Sequence, residues 1–335
     1  MLITLLYRTC LITESLENAM GEIHNLIEAR GRAGALDAGI ERSFVEAAAQ
    51  YMGDEDTTLS FAYSGWAQCA PPHRRLADDQ PWEISIERTR LVVEPGRKPR
   101  SEEGPLDFVG VPFGAHARLI LLYLQTEAIR TGSREIELGR SLRDWLSRIG
   151  VSVGGKTAKL VKDQAERISR CRLTFHIQGG KSVGLINQSI MDGALFVEDA
   201  EEGSGKPMLS MARLSEGFFE QLQKHPVPLE EAAIKAINNN PGALDCYLWL
   251  AYRLHALPAA KLVTWKALKA QFGCGYREVY HFKARWPSAL KLALAVYPDA
   301  QVDIVDEGVI LKSSRPPVHL DIPQEPASAR SASVP

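Results

Sequence analysis

VGVPFGAHARLILLYLQTEAIRTG (Val109–Gly132), SREIELGRSLRDWLSRIG (Ser133–Gly150) and VSVGGKTAKLVKDQAERISR (Val151–Arg170) form the stretch whose reading decides the fold. In its first part Leu119, Ile120, Tyr123, Leu124 and Ile129 recur at helical spacing with one buried face, and Gly132 gives the stop. Glu135 to Leu138 reads as a short extended piece. Leu142, Trp145, Leu146 and Ile149 then mark a second helix closed by Gly150, and a third helix runs from Lys156 to about Arg170. Two β-rich runs follow, RLTFHI (Arg172–Ile177) and VGLINQSI (Val183–Ile190), with Gly179-Gly180 as the turn between them. Helix, helix, turn, helix and β-hairpin is the order of a winged helix-turn-helix, a unit whose third helix usually lies in the DNA major groove.

The third helix carries the charge. Ala158, Val161, Ala165 and Ile168 fall on one side and can pack. Lys159, Lys162, Gln164, Arg167 and Arg170 are expected on the surface, with Lys156 and Thr157 at the helix start. Arg140, Arg143 and Arg148 precede the helix and Arg172 follows it, while Asp163 and Glu166 are its only acids. A local cationic surface of this kind binds phosphates by releasing their counterions. The competing reading is a solvated face with ordinary salt bridges; the helix-turn-helix context favours DNA.

Composition bounds these readings. At 335 residues the chain holds about two domains. A net charge of −2 excludes nucleic-acid binding through the whole surface, so such a role must come from local patches offset by acidic regions. The five cysteines (Cys10, Cys69, Cys171, Cys246, Cys274) form no Cys-x-x-Cys and imply free thiols in a reducing cytosol, with no metal site. No apolar run reaches the ~20 residues needed to cross a bilayer. Residues Met1 to about Gly34 read as loosely organised. GEIHNLIEARGR after Met20 is a more natural helical beginning, so the first nineteen residues read as the product of an upstream start codon.

Ala38 to Met52 is a helix with Ile40, Phe44, Val45 and Ala48 on one face. Tyr63 and Trp66 in LSFAYSGWAQCAPPHRRL are packing anchors. WEISIERTRLVV (Trp82–Val93) alternates like a strand pair or one long strand, and EPGRKPRSEEGP is a charged, Pro/Gly-rich loop. GALFVED and MLSMARLS read as further strands around the turn AEEGSGKP. GFFEQLQKHPVPLEEAAIKAI links onward, broken by Pro226 and Pro228. From Asn240 the pattern returns. PGALDCYLWLAYRLHAL is an apolar helix stopped by Pro258, and Thr264 can cap WKALKAQFG. CGYREVYHFKARWPSALKLALAVYP is a third helix expected to kink or break near Pro287. QVDIVDEGVILKSS is a hairpin turning at Asp306-Glu307-Gly308. Arg277, Tyr280, His281, Lys283 and Arg285 lie along or beside the candidate reading helix. Lys266 and Lys269 occupy the helix before it, and Lys312 and Arg315 the edge of the wing. The expected architecture is α+β, two tandem winged-helix domains (106–212 and 213–315) after a helical and extended, partly flexible N-terminal segment (1–105), with a disordered tail (316–335).

Gly150-Val-Ser-Val-Gly-Gly155-Lys156-Thr157 fits GxxxxGK[ST] letter for letter. A phosphate loop needs a buried strand before it, whereas SLRDWLSRI is periodic as a helix. The same residues can instead present a helix N-terminus to a DNA phosphate. His116, His176, His225, His255 and His281 are scattered singly, and neither a Gly-x-Ser-x-Gly elbow nor a His-x-His pair occurs. A non-enzymatic protein with no catalytic residues and no cofactor is expected.

YSGWAQ (Tyr63–Gln68), PHRRL (Pro72–Leu76), GVPFGAHARLILLYLQTEAIRTGSREIELGRSLRDWL, GGKTAKLVKDQAERISRCRLTF, LSEGFFEQL, HPVPLEEAAIKAI, ALDCYLWLAYRLHALP and WKALKAQFG together resemble the RepA-type replication initiators of broad-host-range plasmids, from about Ile23 to Pro317. The resemblance implies binding of origin repeats in double-stranded DNA, opening of the adjacent duplex, and recruitment of a host initiator and the replicative helicase. It also implies cytoplasmic location without membrane contact and a homodimer in equilibrium with monomer. Carried over residue by residue, it makes Lys156, Lys159, Lys162 and Arg167 first-domain DNA contacts and Arg277, His281, Lys283 and Arg285 second-domain contacts. The alternatives are a winged-helix repressor of its own promoter and, less favoured, a phosphate-loop NTPase.

Overall fold

An apolar helix such as the one starting at Gly114 needs covering on every side, and the computed structural model shows both halves of the chain doing so. The structure describes residues 23–86, 89–101, 103–148, 150–152, 154–179, 182–198 and 207–318. The reading of a late start codon and that of the tail beyond residue 318 lie outside them.

Helix α1 spans residues 23–37 and α2 Arg42–Met52. The segment expected to be loose is therefore helical from residue 23. Ile23 is fully buried, Leu26 and Ile27 pack on the core, and His24 Nε2 lies 2.9 Å from the Ala295 carbonyl oxygen. That short apolar stripe becomes a helix because a distant segment covers it.

Next come β1 (Leu59–Tyr63), α3 (Ser64–Gln68), β2 (Trp82–Ile86), β3 (Thr89–Glu94), β4 (Gly96–Pro99) and β5 (Leu106–Gly110). The central stretch folds as α4 (Gly114–Thr131), β6 (Glu135–Glu137), α5 (Gly139–Arg148) and α6 (Gly155–Arg170). Strands β7 (Arg172–Gly179), β8 (Ser182–Ser189), β9 (Met191–Glu198) and β10 (Pro207–Leu214) follow. The chain continues through α7 (Glu216–Lys224), β11 (Pro226–Glu230), α8 (Glu231–Ile237) and α9 (Pro241–Arg253). It closes with β12 (Lys261–Thr264), α10 (Trp265–Phe272), α11 (Val279–Leu294), β13 (Val302–Val305) and β14 (Gly308–Leu311). The protein is a mixed α/β structure.

Three sequence expectations need correction. First, β7 and β8 pair with each other as the expected hairpin, but not as the sheet beside α4–α6. They extend β2–β3 into a sheet of order β2-β3-β7-β8, in which Leu91 faces Phe175 and Val93 faces Leu173. All four of those side chains are buried on one face, and that burial sets the register. The sheet beside α4–α6 is β6-β10-β9. Second, Pro226 and Pro228 end the helical run as expected, α7 stopping at Lys224, but they are more than a linker. They lie in β11, opposite Tyr63 and Phe61 of β1, in a two-stranded sheet where an unbonded N–H position suits proline. Third, α11 begins at Val279 and runs through Pro287 without a break. In the last quarter of the chain, α9, α10 and α11 accompany a sheet of order β12-β14-β13, and Thr264 Oγ1 accepts from the Ala267 N–H at 3.3 Å as the α10 cap.

Helices α4 and α9 are buried on nearly all faces, as all-round apolar helices must be. Each carries one charge there. Arg118 of α4 makes a two-pronged ion pair with Asp245 of α9, Nε to Oδ1 and Nη2 to Oδ2, both 2.6 Å. Its remaining hydrogens reach the Pro71 (2.7 Å) and Gly114 (2.9 Å) carbonyls, and His73 Nε2 lies 2.7 Å from Asp245 Oδ2. Burial opposes the Asp245 charge, but Arg118 and His73 outweigh it and hold the carboxyl below its usual range. Its folded pKa being depressed, the stability it contributes is present above its unfolded value of ~3.9 and is lost as pH falls through the folded value.

Asp245→Ala strands a buried guanidinium and should lower unfolding free energy by about 3–5 kcal/mol in urea titrations. Asp245→Asn should remove part of the wild-type's loss of stability on acidification below about pH 4.

Candidate nucleic-acid interface

The inner face of α11 is fixed by aromatic packing. Phe282, Trp286 and Leu290, one turn apart, are buried. Trp286 stacks on Phe272 (centroids 5.3 Å) and Phe282 (5.4 Å) and meets Trp265 edge-on at 6.2 Å. Such a cluster fixes which side chains point outward. Among these are Arg277, just before the helix, then Tyr280, His281 and Arg285. The Arg277 side chain is 95% exposed, and its Nε lies 3.7 Å from Glu278. Tyr280 is 65% exposed, its ring 4.0 Å from that of His281.

Lys283 and Lys312 have partners within the protein. Lys283 Nζ donates to the Asp306 carbonyl (3.0 Å), lies 3.6 Å from the Asp306 carboxylate and sits over the Trp265 ring. Trp265 Nε1 donates to the same carbonyl at 2.9 Å. Lys283 thus ties α11 to the β13–β14 turn. Lys312 Nζ is 2.7 Å from Asp303 on the neighbouring strand. Lys266 is exposed, Lys269 half-buried, and Arg315 exposed, its carbonyl accepting from the Tyr297 hydroxyl at 2.6 Å.

Helix α6 is less open than its sequence implies. Gln164 and Arg167, expected on the surface, are buried at 1% and 2% exposure. The Gln164 side-chain oxygen accepts from the Phe113 N–H at 2.8 Å. The Arg167 guanidinium donates to Asp163 (2.8 Å) and Asp78 (3.2 Å), reaches the Val111 carbonyl and lies over the Phe113 ring. Residues 78 and 110–113 cover this side of the helix, and the helical pattern alone does not contain them. Gly110, at φ +82°, permits the cover: a Cβ there would overlap the Arg167 guanidinium and the Asp78 carboxylate. Farther along, Glu166 pairs with Lys98 (2.6 Å) and with Arg170 (3.6 Å), and Arg170 donates to the Arg97 carbonyl. Lys156 and Lys159 remain exposed, with Thr157 and Lys162 half-buried.

The GxxxxGK[ST] match lies between two helices. α5 ends at Arg148, Gly150 takes φ +80°, and α6 starts at Gly155. The strand that a phosphate loop requires is not there. Among the described residues, no helix is long and apolar enough to cross a membrane.

One feature had no sequence signal. The connector between α3 and β2 places His73 and Arg74 in the lining of a cleft of about 540 Å³, together with Arg277, His281 and Arg285.

Residues 111–267 match the family described as "Plasmid encoded RepA protein". That is a family of plasmid replication proteins, the group to which the sequence resemblance points, and the similarity covers this segment. Crystal structures of domains 2 and 3 of RctB are similar at 16% identity. A selenomethionine form covers 75% of this chain and 98% of its own, with TM-score 0.48, and a second structure covers 74% and 94%, with TM-score 0.45. No curated protein matches the chain.

Arg167→Ala removes charged hydrogen bonds from a buried site and should cost about 1.5–3 kcal/mol of stability. Lys159→Ala, on the open surface, should stay within about 0.5 kcal/mol. Urea midpoints of the two variants check the contrast.

Proposed function

We propose that this protein is a plasmid replication initiator that binds repeated duplex sequences in the origin. The observation that carries the reading is the outward strip Arg277, Tyr280, His281 and Arg285 on α11, backed by a rigid aromatic floor, in a chain whose segment 111–267 matches a plasmid replication family. Helices α9, α10 and α11 with the β12-β14-β13 sheet support a winged-helix reading of the second unit. Helices α4, α5 and α6 with the β6-β10-β9 sheet support the same reading of the first, the wing being β9–β10. In this reading α11 enters the major groove, and Lys156 and Lys159 at the start of α6 hold a phosphate. Opening of the adjacent duplex, recruitment of a host initiator and replicative helicase, and a monomer–dimer equilibrium follow from the family resemblance, in a cytoplasmic protein without enzymatic activity.

Gel retardation on repeats flanking the gene should show steep salt dependence, with a log–log slope of about −0.9 per phosphate contact. Arg277→Ala should weaken specific binding by about 1–3 kcal/mol if it meets a base edge. Retardation equal to wild type in both Arg277→Ala and Arg285→Ala would show that α11 is not the reading helix. Supplied in trans, the protein should support an origin-only plasmid in transformation; a repressor of its own promoter would bind the repeats and fail to do so.

A further inference from the structure

The cleft between the two halves has a composition of its own. Arg74 comes from the connector, His281 and Arg285 from α11, and Arg277 from two residues before that helix, with no Asp or Glu among the lining residues. Arg74 and Arg285 make no ion pair among the described residues. Beside the polar Asn240 and Gln271, Pro71, Trp82 and Tyr276 add flat surface to the wall. Trp82 is held by a 3.0 Å bond from Nε1 to the Ala70 carbonyl, and Tyr276 packs edge-on against Phe282 at 5.6 Å. Unmatched guanidinium groups select phosphate, and fixed aromatic rings select a flat heterocycle. A space of about 540 Å³ falls in the range of small-molecule sites and is too small for a double helix.

We propose that this cleft binds a single nucleoside phosphate unit, with the phosphate on Arg74 and the α11 arginines and the base against the Trp82 and Tyr276 wall. The unit is either a free nucleotide or one unpaired nucleotide of a DNA strand. The proposal deepens the reading of α11 as a DNA-binding helix and shares Arg277, His281 and Arg285 with it; Arg74 belongs to the cleft alone. His73 joins the same wall to the buried Asp245, so an occupied cleft bears directly on the pair that connects α4 with α9.

Cys274 lines the cleft and is exposed, whereas Cys69, Cys171 and Cys246 are buried. Iodoacetamide labelling of the full chain, read by mass spectrometry on the Cys274 peptide, therefore reports occupancy. A thymidine hexanucleotide should slow labelling of Cys274. Arg74→Glu should weaken that protection about tenfold, the effect of losing one charge-assisted contact. Arg74→Lys should restore part of it, and both variants should retard duplex origin repeats like wild type. Protection by dTMP as strong as by the hexanucleotide identifies a free nucleotide as the occupant; protection by the hexanucleotide alone identifies an unpaired strand. Protection by the hexanucleotide in a protein that fails to bind duplex repeats would sink the proposed function and leave the cleft standing. An unchanged labelling rate with both probes, protection indifferent to Arg74→Glu, or a loss of duplex binding in Arg74→Glu equal to its loss of protection would overturn the cleft proposal.

Discussion

The Arg118–Asp245 pair is the constraint around which the two halves are arranged. Both charges lie on helices that are otherwise buried almost all round, so neither has access to water as a substitute partner. A buried charge left without a partner costs several kcal/mol. Placing α4 against α9 in another register would leave both charges in that state. The two-pronged geometry also fixes the rotation of each helix, because a guanidinium fork meets a carboxylate in one plane. The bonds from Arg118 to the Pro71 and Gly114 carbonyls carry the constraint outward to the connector before β2 and to the start of α4. One side chain thereby positions three segments that are far apart in sequence.

The legible parts of this fold were those in which neighbours in sequence set the structure. The bounds of α6 follow from its apolar spacing and from Gly154-Gly155, and Thr264 caps α10 where its hydroxyl predicts. The β13–β14 turn at Asp306-Glu307 was likewise local. What escaped was long-range. β7 pairs forward with β8 as the expected hairpin and also backward onto β3, a second partner that periodicity does not reveal. Burial of Leu91, Val93, Leu173 and Phe175 on a common face sets that second pairing. The pairing of β1 with β11 turns two prolines that read as breakers into an ordinary edge.

The charge pattern was legible by residue type and not by partner. On α6 the sequence shows a cationic helix. In the fold, Asp78 and Asp163 take Arg167, while Lys98 and Arg170 take Glu166. Much of the apparent basic patch is therefore internal electrostatics holding residues 78, 97–98 and 110–113 against the helix. The overall net charge of −2 has a structural counterpart here, since many of the cations have their acid close by. Lys156 and Lys159 at the start of α6 and Arg285 on α11 are among the exposed cations with no acid partner among the described residues.

These two places differ in a way that divides their roles under the proposed function. On α6 the open residues are Lys156 and Lys159, with Leu160 exposed beside them; there is no planar polar side chain in the strip. Lysine ammonium groups on flexible stems suit phosphates, whose positions repeat along any duplex. On and just before α11 the open residues include two arginines, a histidine and a tyrosine, which offer planar donors and rings on a helix held rigid by Trp286 and Phe282. Discrimination between bases needs donors held at fixed angles, because a forked contact to a base edge tolerates little rotation. The rigid aromatic floor provides that, and the Lys283 bond to the Asp306 carbonyl adds a second anchor toward the hairpin. The less obstructed and better braced helix is thus the one fitted to read sequence, and the more heavily neutralised one is fitted to hold the backbone in place.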